Sequence, residues 1–385
     1  MDFRFTPEQE ALRREVREFL EEEIRKGTFK PRSDGWICGY SPEFSRKLGE
    51  RGWIGMTWPK EYGGGGRTYV ERLIVTEELL RYGAPTAYHW FADRQIGPTL
   101  LAYGTEEQKR YFLPRMAKGE IGVAVGMSEP EAGSDLASIR TRAIETDKGF
   151  IINGQKIWTS GAHCFDYIYL VAVTDPQGPR YKNISEFLID FSLPGITVRP
   201  LIDLTGEHHF NEVFFDDVLV PKDALIGKKN EGWKQIMEQL DYERSGIERL
   251  MSNYPAFEFL ISHCKETGKS KNPVIRNKLA QLRIEFEVGR MLIYRVAWLL
   301  DQGKIPNYEA AMAKFFATDF EKRLAAFAMD VLGPLGQLKE GSKWWKEGFG
   351  LITGSYLFSP GYTIQGGTSE ILRNIVALRG LGLSR

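Results

Sequence analysis

From Trp233 onward, Trp233, Ile236, Leu240, Glu243, Ile247 and Leu250 recur at steps of three and four, the spacing that lines one face of an α-helix. One member of that apolar stripe is a carboxylate. An ionised carboxyl group is costly to bury unless it is paired, and a raised pKa is the usual escape. Two chemistries therefore compete for Glu243: one half of a local ion pair, with Arg244, Arg249 and Lys234 all near in sequence, or a general base poised for a weakly acidic proton.

Three other segments combine residue types suited to a flat polar ring or a phosphate. Met127-Ser128-Glu129-Pro130-Glu131-Ala132-Gly133-Ser134-Asp135 joins a rigid proline turn to two hydroxyls and a permissive glycine, a loop able to aim backbone N–H groups, Ser128 or Ser134 at an electron-rich partner. Lys156-Ile157-Trp158-Thr159-Ser160-Gly161 ends a strand pattern with an indole beside two hydroxyls. In Gln365-Gly366-Gly367-Thr368-Ser369-Glu370, a glycine pair precedes Thr368 as N-cap and Glu370 in the first turn, so a helix N-terminus follows a loop bare of side chains. Taken singly, an ordinary polar turn, a core tryptophan and a simple helix cap explain each of them.

These segments need positioning elements, and local signals supply them. Thr6-Pro7-Glu8-Gln9 and Thr105 to Gln108 read as capping boxes that open helices, the second running toward Pro114, and another helix is expected around Tyr69 to Tyr82. Gly63 to Gly66 read as a loop, since no Lys-Ser/Thr follows to make a phosphate cradle. After Ile121 the pattern turns to strands: Phe150 to Ile152 and Gln155 to Trp158 flank Asn153-Gly154, a hairpin signal, and Tyr167–Val173, Glu186–Asp190, Ile196–Leu201 and Glu212–Val220 follow. From Trp233 the helical period returns and continues over about 273–301, 307–332 and 367–380, which reads as a bundle. The expected domains are N-terminal helical (1–121), middle β, a small barrel or sandwich (122–228), and a C-terminal four-helix bundle (229–385), so the fold class is mainly α with a central β domain.

Bulk properties narrow the function classes. At 385 residues, with formal net charge zero and 42% hydrophobic residues, the chain has no basic footprint for nucleic acid. The cysteines, Cys38, Cys164 and Cys264, lack metal-ligand spacing and are odd in number, which argues against a disulfide framework or zinc site and for a reducing compartment. No window of ~20 apolar residues occurs, and the first ten residues lack the basic and apolar runs of a targeting signal. The expectation is a cytosolic (cytoplasmic) protein without membrane insertion. His208-His209 read as a solvated loop rather than metal ligands, and Trp344-Trp345 as core.

Taken together and in order, Trp58 to Gly64, Tyr103 to Lys109, Ser128 to Asp135, Asn153-Gly154 with Lys156 and Trp158, and Gly367 to Ile371 resemble the acyl-CoA dehydrogenase family from end to end. That resemblance implies FAD between a β domain and a helical bundle. It assigns cofactor contacts to Met127, Ser128, Trp158, Thr159 and Ser160, with Thr368 and Glu370 from the C-terminal helix, and substrate contacts to Ser134, Arg244 and Gly367. The implied reaction removes an α-proton from an acyl-CoA thioester while the β-hydrogen leaves as hydride to the flavin. An electron-transferring flavoprotein is the implied oxidant.

Two departures from the family pattern refine the expectation. Most members place a catalytic glutamate immediately before Gly-Thr, where this chain has Gly366. A minority, similar to isovaleryl-CoA and long-chain acyl-CoA dehydrogenases, carries it in a Leu-Asp-x-Glu-Arg context, which Leu240-Asp241-Tyr242-Glu243-Arg244 matches. Glu243 thus inherits the base role, with the Gly366 N–H and the flavin ribityl chain as donors to the thioester oxygen, and glycines at 366 and 367 suggest room for a branched, cyclic or steroid acyl group. The second departure lies at Cys264 to Pro273 and Asp330 to Gly336, segments that in the family reach a neighbouring subunit's FAD. Their divergence is similar to steroid side-chain acyl-CoA dehydrogenases, and sets an α2β2 heterotetramer against a homo-oligomer. Two other readings stay open: a flavin-binding but catalytically silent subunit, and a flavin monooxygenase on the same fold.

Overall fold

The computed structural model describes residues 4–243, 246–338 and 340–384, apart from the side chains of 240–243 and 347. In chain order the helices are α1 (Pro7–Arg25), α2 (Gly35–Cys38), α3 (Pro42–Glu50), α4 (Tyr69–Arg81), α5 (Ala87–Phe91), α6 (Gly97–Tyr103) and α7 (Glu106–Ala117). After the strands come α8 (Gly232–Glu243), α9 (Glu248–Met251), α10 (Tyr254–Glu266), α11 (Pro273–Asp301), α12 (Tyr308–Leu332), α13 (Glu347–Tyr362) and α14 (Ser369–Ile375). The strands are β1 (Val123–Gly126), β2 (Arg142–Thr146), β3 (Gly149–Lys156), β4 (Tyr167–Val173), β5 (Ile184–Asp190), β6 (Ile196–Ile202), β7 (His208–Val220) and β8 (Leu225–Ile226). The fold divides into two compact units, one of Met1–Trp36, Thr68–Pro85 and Arg244–Arg385, the other of Ile37–Arg67 and Thr86–Glu243.

The second of these, the sheet unit, orders its strands β6-β7-β3-β2-β4-β5-β8, with β1 parallel to β4. Successive side chains of a strand point to opposite faces, and β4 uses both. Tyr169, Val171 and Val173 join a core with Trp58, Leu113, Met116 and Ile236. Ile168, Leu170 and Ala172 join another with Phe150, Phe187, Val213 and Val218. A strand buried on both faces reads as a near-continuous apolar run, and Tyr-Ile-Tyr-Leu-Val-Ala-Val is one.

The helical unit takes its starts from local chemistry. Thr6 and Thr68 close capping boxes with Gln9 and Glu71, and Asn272 caps α11 ahead of Pro273. Buried charge is used in networks: Glu78 receives Arg13 and Arg17, and Glu77 receives Arg290 and Tyr294. Helix α12 presents an alanine-rich buried face, including Ala310, Ala313, Ala317, Ala325 and Ala328, which lets neighbouring backbones approach closely.

Several expectations are corrected. Asn153-Gly154 is not a hairpin turn: β3 runs through it with a register shift against β7. The asparagine side chain exchanges hydrogen bonds with Asp217, and a Cβ on Gly154 would sit 2.5 Å from Thr141 Oγ1, so the pair makes a bulge at a close approach. Strand β7 begins at His208, so the His208-His209 pair lies in a strand and His209 is buried. Helix α7 continues past Pro114 to Ala117. The stripe from Trp233 to Leu250 is not one helix, because Gly246 and Ile247 are non-helical between α8 and α9. Trp344 is exposed rather than core.

Candidate active site

In the sheet unit, the loop after β1 is held by a buried cation. Lys156, fully buried at the end of β3, donates to the Met127 carbonyl at 3.0 Å and to Glu129 Oε1 at 2.8 Å. Glu129 in turn accepts from the backbone N–H groups of Arg140 and Thr141. Burial alone would raise the Glu129 pKa, but the Lys156 charge and these hydrogen bonds hold it below the ordinary value, while burial lowers Lys156 to about 8 against the pull of Glu129. Ile157 N–H donates to the Ser128 carbonyl at 3.0 Å. Met127 and Ser128 are therefore brought against the strand end that leads to Trp158.

Trp158 has φ of 59°, a left-handed conformation that is costly for a bulky residue and concentrates at functional sites. Its indole is 57% exposed and meets Phe210 edge-on at 5.7 Å. The next two residues are buried, and Asn211 fixes the first of them from both sides. Its carbonyl accepts from Thr159 N–H, and its Nδ2 donates to the Thr159 carbonyl. Asn211 also meets His208 and His163, whose rings stack at 3.8 Å. The Thr159 hydroxyl is fully buried with no hydrogen-bond partner among the described residues. Ser134, by contrast, is exposed on the far part of its loop.

Helix α8 closes the sheet unit. Among its described side chains the buried positions are Gly232, Gln235, Ile236 and Gln239, and Gln235 Nε2 anchors it to Glu186 Oε2 at 2.6 Å. Burial pushes the Glu186 carboxyl up to about 8 despite the Gln235 hydrogen bond and the nearby Tyr169 hydroxyl. Glu243 is the last helical residue; its side chain, and Arg244 altogether, lie outside the described residues.

In the helical unit, Gly366 and Gly367 both have positive φ, 63° and 98°, a conformation glycine adopts without steric cost. Thr368 caps α14 by accepting from Ile371 N–H, and Glu370 is exposed in the first turn. Behind this turn lies Lys314 of α12, 1% exposed, whose Nζ is 2.7 Å from the Gln365 carbonyl, 2.6 Å from that of Gly367 and 3.4 Å from that of Tyr362. Tyr362 also reaches a buried acid cluster: its hydroxyl donates to Asp34 Oδ2 at 2.6 Å, and Asn253 Nδ2 donates to Glu321 Oε2 at 2.5 Å. Burial pushes Asp34 up to about 7, and burial together with the Asp34 charge raises Glu321 well above the ordinary carboxyl value.

Three family models cover nearly the whole chain: the acyl-CoA dehydrogenase N-terminal domain at residues 6–120, middle domain at 124–218 and C-terminal domain at 230–381. The chain belongs to the acyl-CoA dehydrogenase family. It is similar to the acyl-CoA dehydrogenase FadE26 of Mycobacterium tuberculosis, 32% identical over 100% of this chain and 99% of that one. FadE29 of the same organism is 34% identical over 99% and 98%. Among solved structures it is similar to the Tcur3481-Tcur3483 steroid ACAD, with TM-score 0.90 and 32% identity over the full length of both chains. The ChsE4-ChsE5 complex from Mycobacterium tuberculosis matches with TM-score 0.86 and 32% identity, again over the full length of both.

This acyl-CoA dehydrogenase is an oxidoreductase, and members of its family are FAD-dependent flavoproteins. The sheet unit fits such a group: a buried hydroxyl at Thr159 lacks a partner among the described residues, and Trp158 is held open in a conformation that folding alone does not favour. Sequence reasoning missed Asn211 as a site element, and it missed Lys314. The second had a signal, since Ala310, Lys314, Ala317 and Glu321 repeat at helical spacing and put a cation on an apolar face, the same anomaly that marks Glu243.

Proposed function

We propose that this acyl-CoA dehydrogenase acts on a branched, cyclic or otherwise bulky acyl-CoA, as one subunit of an α2β2 heterotetramer with a related chain, and passes its electrons to an electron-transferring flavoprotein. The observation that carries the substrate class is the Gly366-Gly367 pair, which leaves the position before Gly-Thr without a side chain. The similar solved structures, a steroid ACAD and the ChsE4-ChsE5 complex, support both the substrate class and the assembly.

In this reading Glu243 is the base. Its carboxylate takes the α-proton as that C–H bond breaks, the Cα–Cβ bond becomes double, and the β-hydrogen departs with its electron pair. FAD supplies the hydride acceptor. Negative charge develops on the thioester oxygen as the proton leaves, and fixed donors there stabilise the transition state more than the ground state; the Gly366 N–H has that role. Met127, Ser128, Trp158, Thr159 and Ser160, with Thr368 and Glu370 of the C-terminal motif, hold the cofactor, and Ser134, Arg244 and Gly367 contact substrate. The test is an anaerobic titration of the flavin-loaded protein, alone and with its partner subunit, with straight-chain, branched and polycyclic acyl-CoAs while the flavin absorbance is followed. Bleaching by the bulky thioesters is expected; preference for straight chains contradicts the substrate class, and full flavin occupancy with full turnover by one subunit alone contradicts the heterotetramer.

A further inference from the structure

The buried ammonium of Lys314 has three donors, and three backbone carbonyls lie within hydrogen-bond distance of it, those of Tyr362, Gln365 and Gly367. A simple helix cap accounts only for the longest of these contacts. Tyr362 ends α13, where terminal carbonyls need partners, but Gln365 and Gly367 lie beyond the helix, one on each side of Gly366. Burying a cation is costly unless its hydrogen bonds are made, and here the two shortest go to a glycine turn.

The consequence follows from peptide geometry. All described peptide bonds are trans, and in a planar trans peptide the C=O and N–H point in opposite directions. With the Gln365 carbonyl turned onto Lys314, the N–H of Gly366 points away from the lysine; with the Gly367 carbonyl turned onto Lys314, so does the N–H of Thr368. Glycine at 366 and 367 imposes no φ preference of its own, so something outside the turn must choose its direction. A cation at the carbonyl end also polarises the peptide, which strengthens its N–H as a donor.

We infer that Lys314 is a positioning residue for the dehydrogenation: from behind the Gly366-Gly367 turn it fixes the direction of the Gly366 and Thr368 amides and strengthens them as donors for developing negative charge. This rests on the proposed role of the Gly366 N–H, and it is separable from the choice of base. Lys314→Met and Lys314→Arg are compared with the wild-type holoenzyme, in complex with its partner subunit. Lys314→Met is expected to keep its flavin occupancy and KM within about threefold while kcat falls by about tenfold to a hundredfold, less than the about hundredfold to thousandfold for outright loss of a transition-state donor, because the amides remain and lose only their orientation. Lys314→Arg, which keeps charge and donors, restores part of the loss. A Lys314→Met enzyme that holds flavin and turns over within about twofold of wild type overturns the inference. If that variant does not fold, a crystal structure of the wild type decides: Gln365 and Gly367 carbonyls on Lys314 Nζ uphold it, and carbonyls turned away overturn it. A kcat loss in Lys314→Met alongside an unaffected Glu243→Gln would sink the base assignment and leave Lys314 standing; the reverse pattern would sink Lys314 alone.

Discussion

The Trp158 turn of the sheet unit and the Gly366 turn of the helical unit meet the same demand by opposite means. Each places backbone in the left-handed region, and each lies beside a buried lysine, Lys156 holding the Met127 carbonyl of the neighbouring loop and Lys314 holding the turn's own Gln365 and Gly367 carbonyls. At Trp158 the conformation is imposed on a bulky residue, at a cost of roughly 1–2 kcal/mol, and in the proposed site the indole itself is what the turn presents. At Gly366 and Gly367 side chains are absent, and in the proposed site the peptide groups are what is presented. In the proposed site, where a side chain is presented, strain is accepted and a strand residue, Asn211, holds the adjoining Thr159; where backbone is presented, glycine removes the strain and a cation supplies the direction that glycine lacks.

The largest expected effect comes from breaking the support of the Trp158 region. Lys156→Met leaves Glu129 buried without its cation, and loss of one partner of a buried pair costs about 3–5 kcal/mol. Chemical denaturation of the variant should show that loss, and pairing it with Glu129→Gln should recover part of it. A melt unchanged by Lys156→Met would mean that the loop holds itself.

The helical unit should answer to pH in the opposite sense. Asp34, raised by burial to about 7, favours folding when protonated, so its contribution is complete below the unfolded carboxyl pKa and is lost as pH rises through 7. Glu129, lowered by Lys156 and its hydrogen bonds, contributes above the unfolded pKa and is lost as pH falls. Thermal melts from pH 5 to pH 8, a range set by these shifts, should therefore lose stability at the alkaline end, and Asp34→Asn should remove that part of the slope. A slope that survives Asp34→Asn would shift the explanation to Glu321.

A smaller effect sharpens the contrast in strain. In Trp158→Gly the relief of the left-handed conformation offsets lost contacts of a half-exposed ring, so stability should move by less than about 1 kcal/mol while FAD retention through gel filtration falls. Destabilisation well beyond that would make Trp158 a packing residue.

What was legible in the sequence was local. The capping boxes at Thr6 and Thr105 involve residues three apart, and the helices start where those pairs predict; the apolar run of β4 carries its own burial on both faces. Asn153-Gly154 misled because the same dipeptide serves a hairpin turn or a bulge, and only the partner strand, through Asp217, distinguishes them. Lys314 was hidden by distance: the carbonyls it binds lie about fifty positions away in sequence, so the cation could be seen as anomalous in an alanine-rich helix but not assigned a task. The glycine pair was readable as a helix entry, whereas the direction of its peptides is a tertiary property.

The central claim is that the carboxylate missing at Gly366 is supplied by Glu243. Rapid mixing of the flavin-loaded enzyme with a bulky acyl-CoA under anaerobic conditions, wild type against Glu243→Gln, tests it most directly. The account predicts retained flavin and substrate binding in Glu243→Gln with flavin bleaching slowed by at least about a hundredfold; bleaching at the wild-type rate would contradict it.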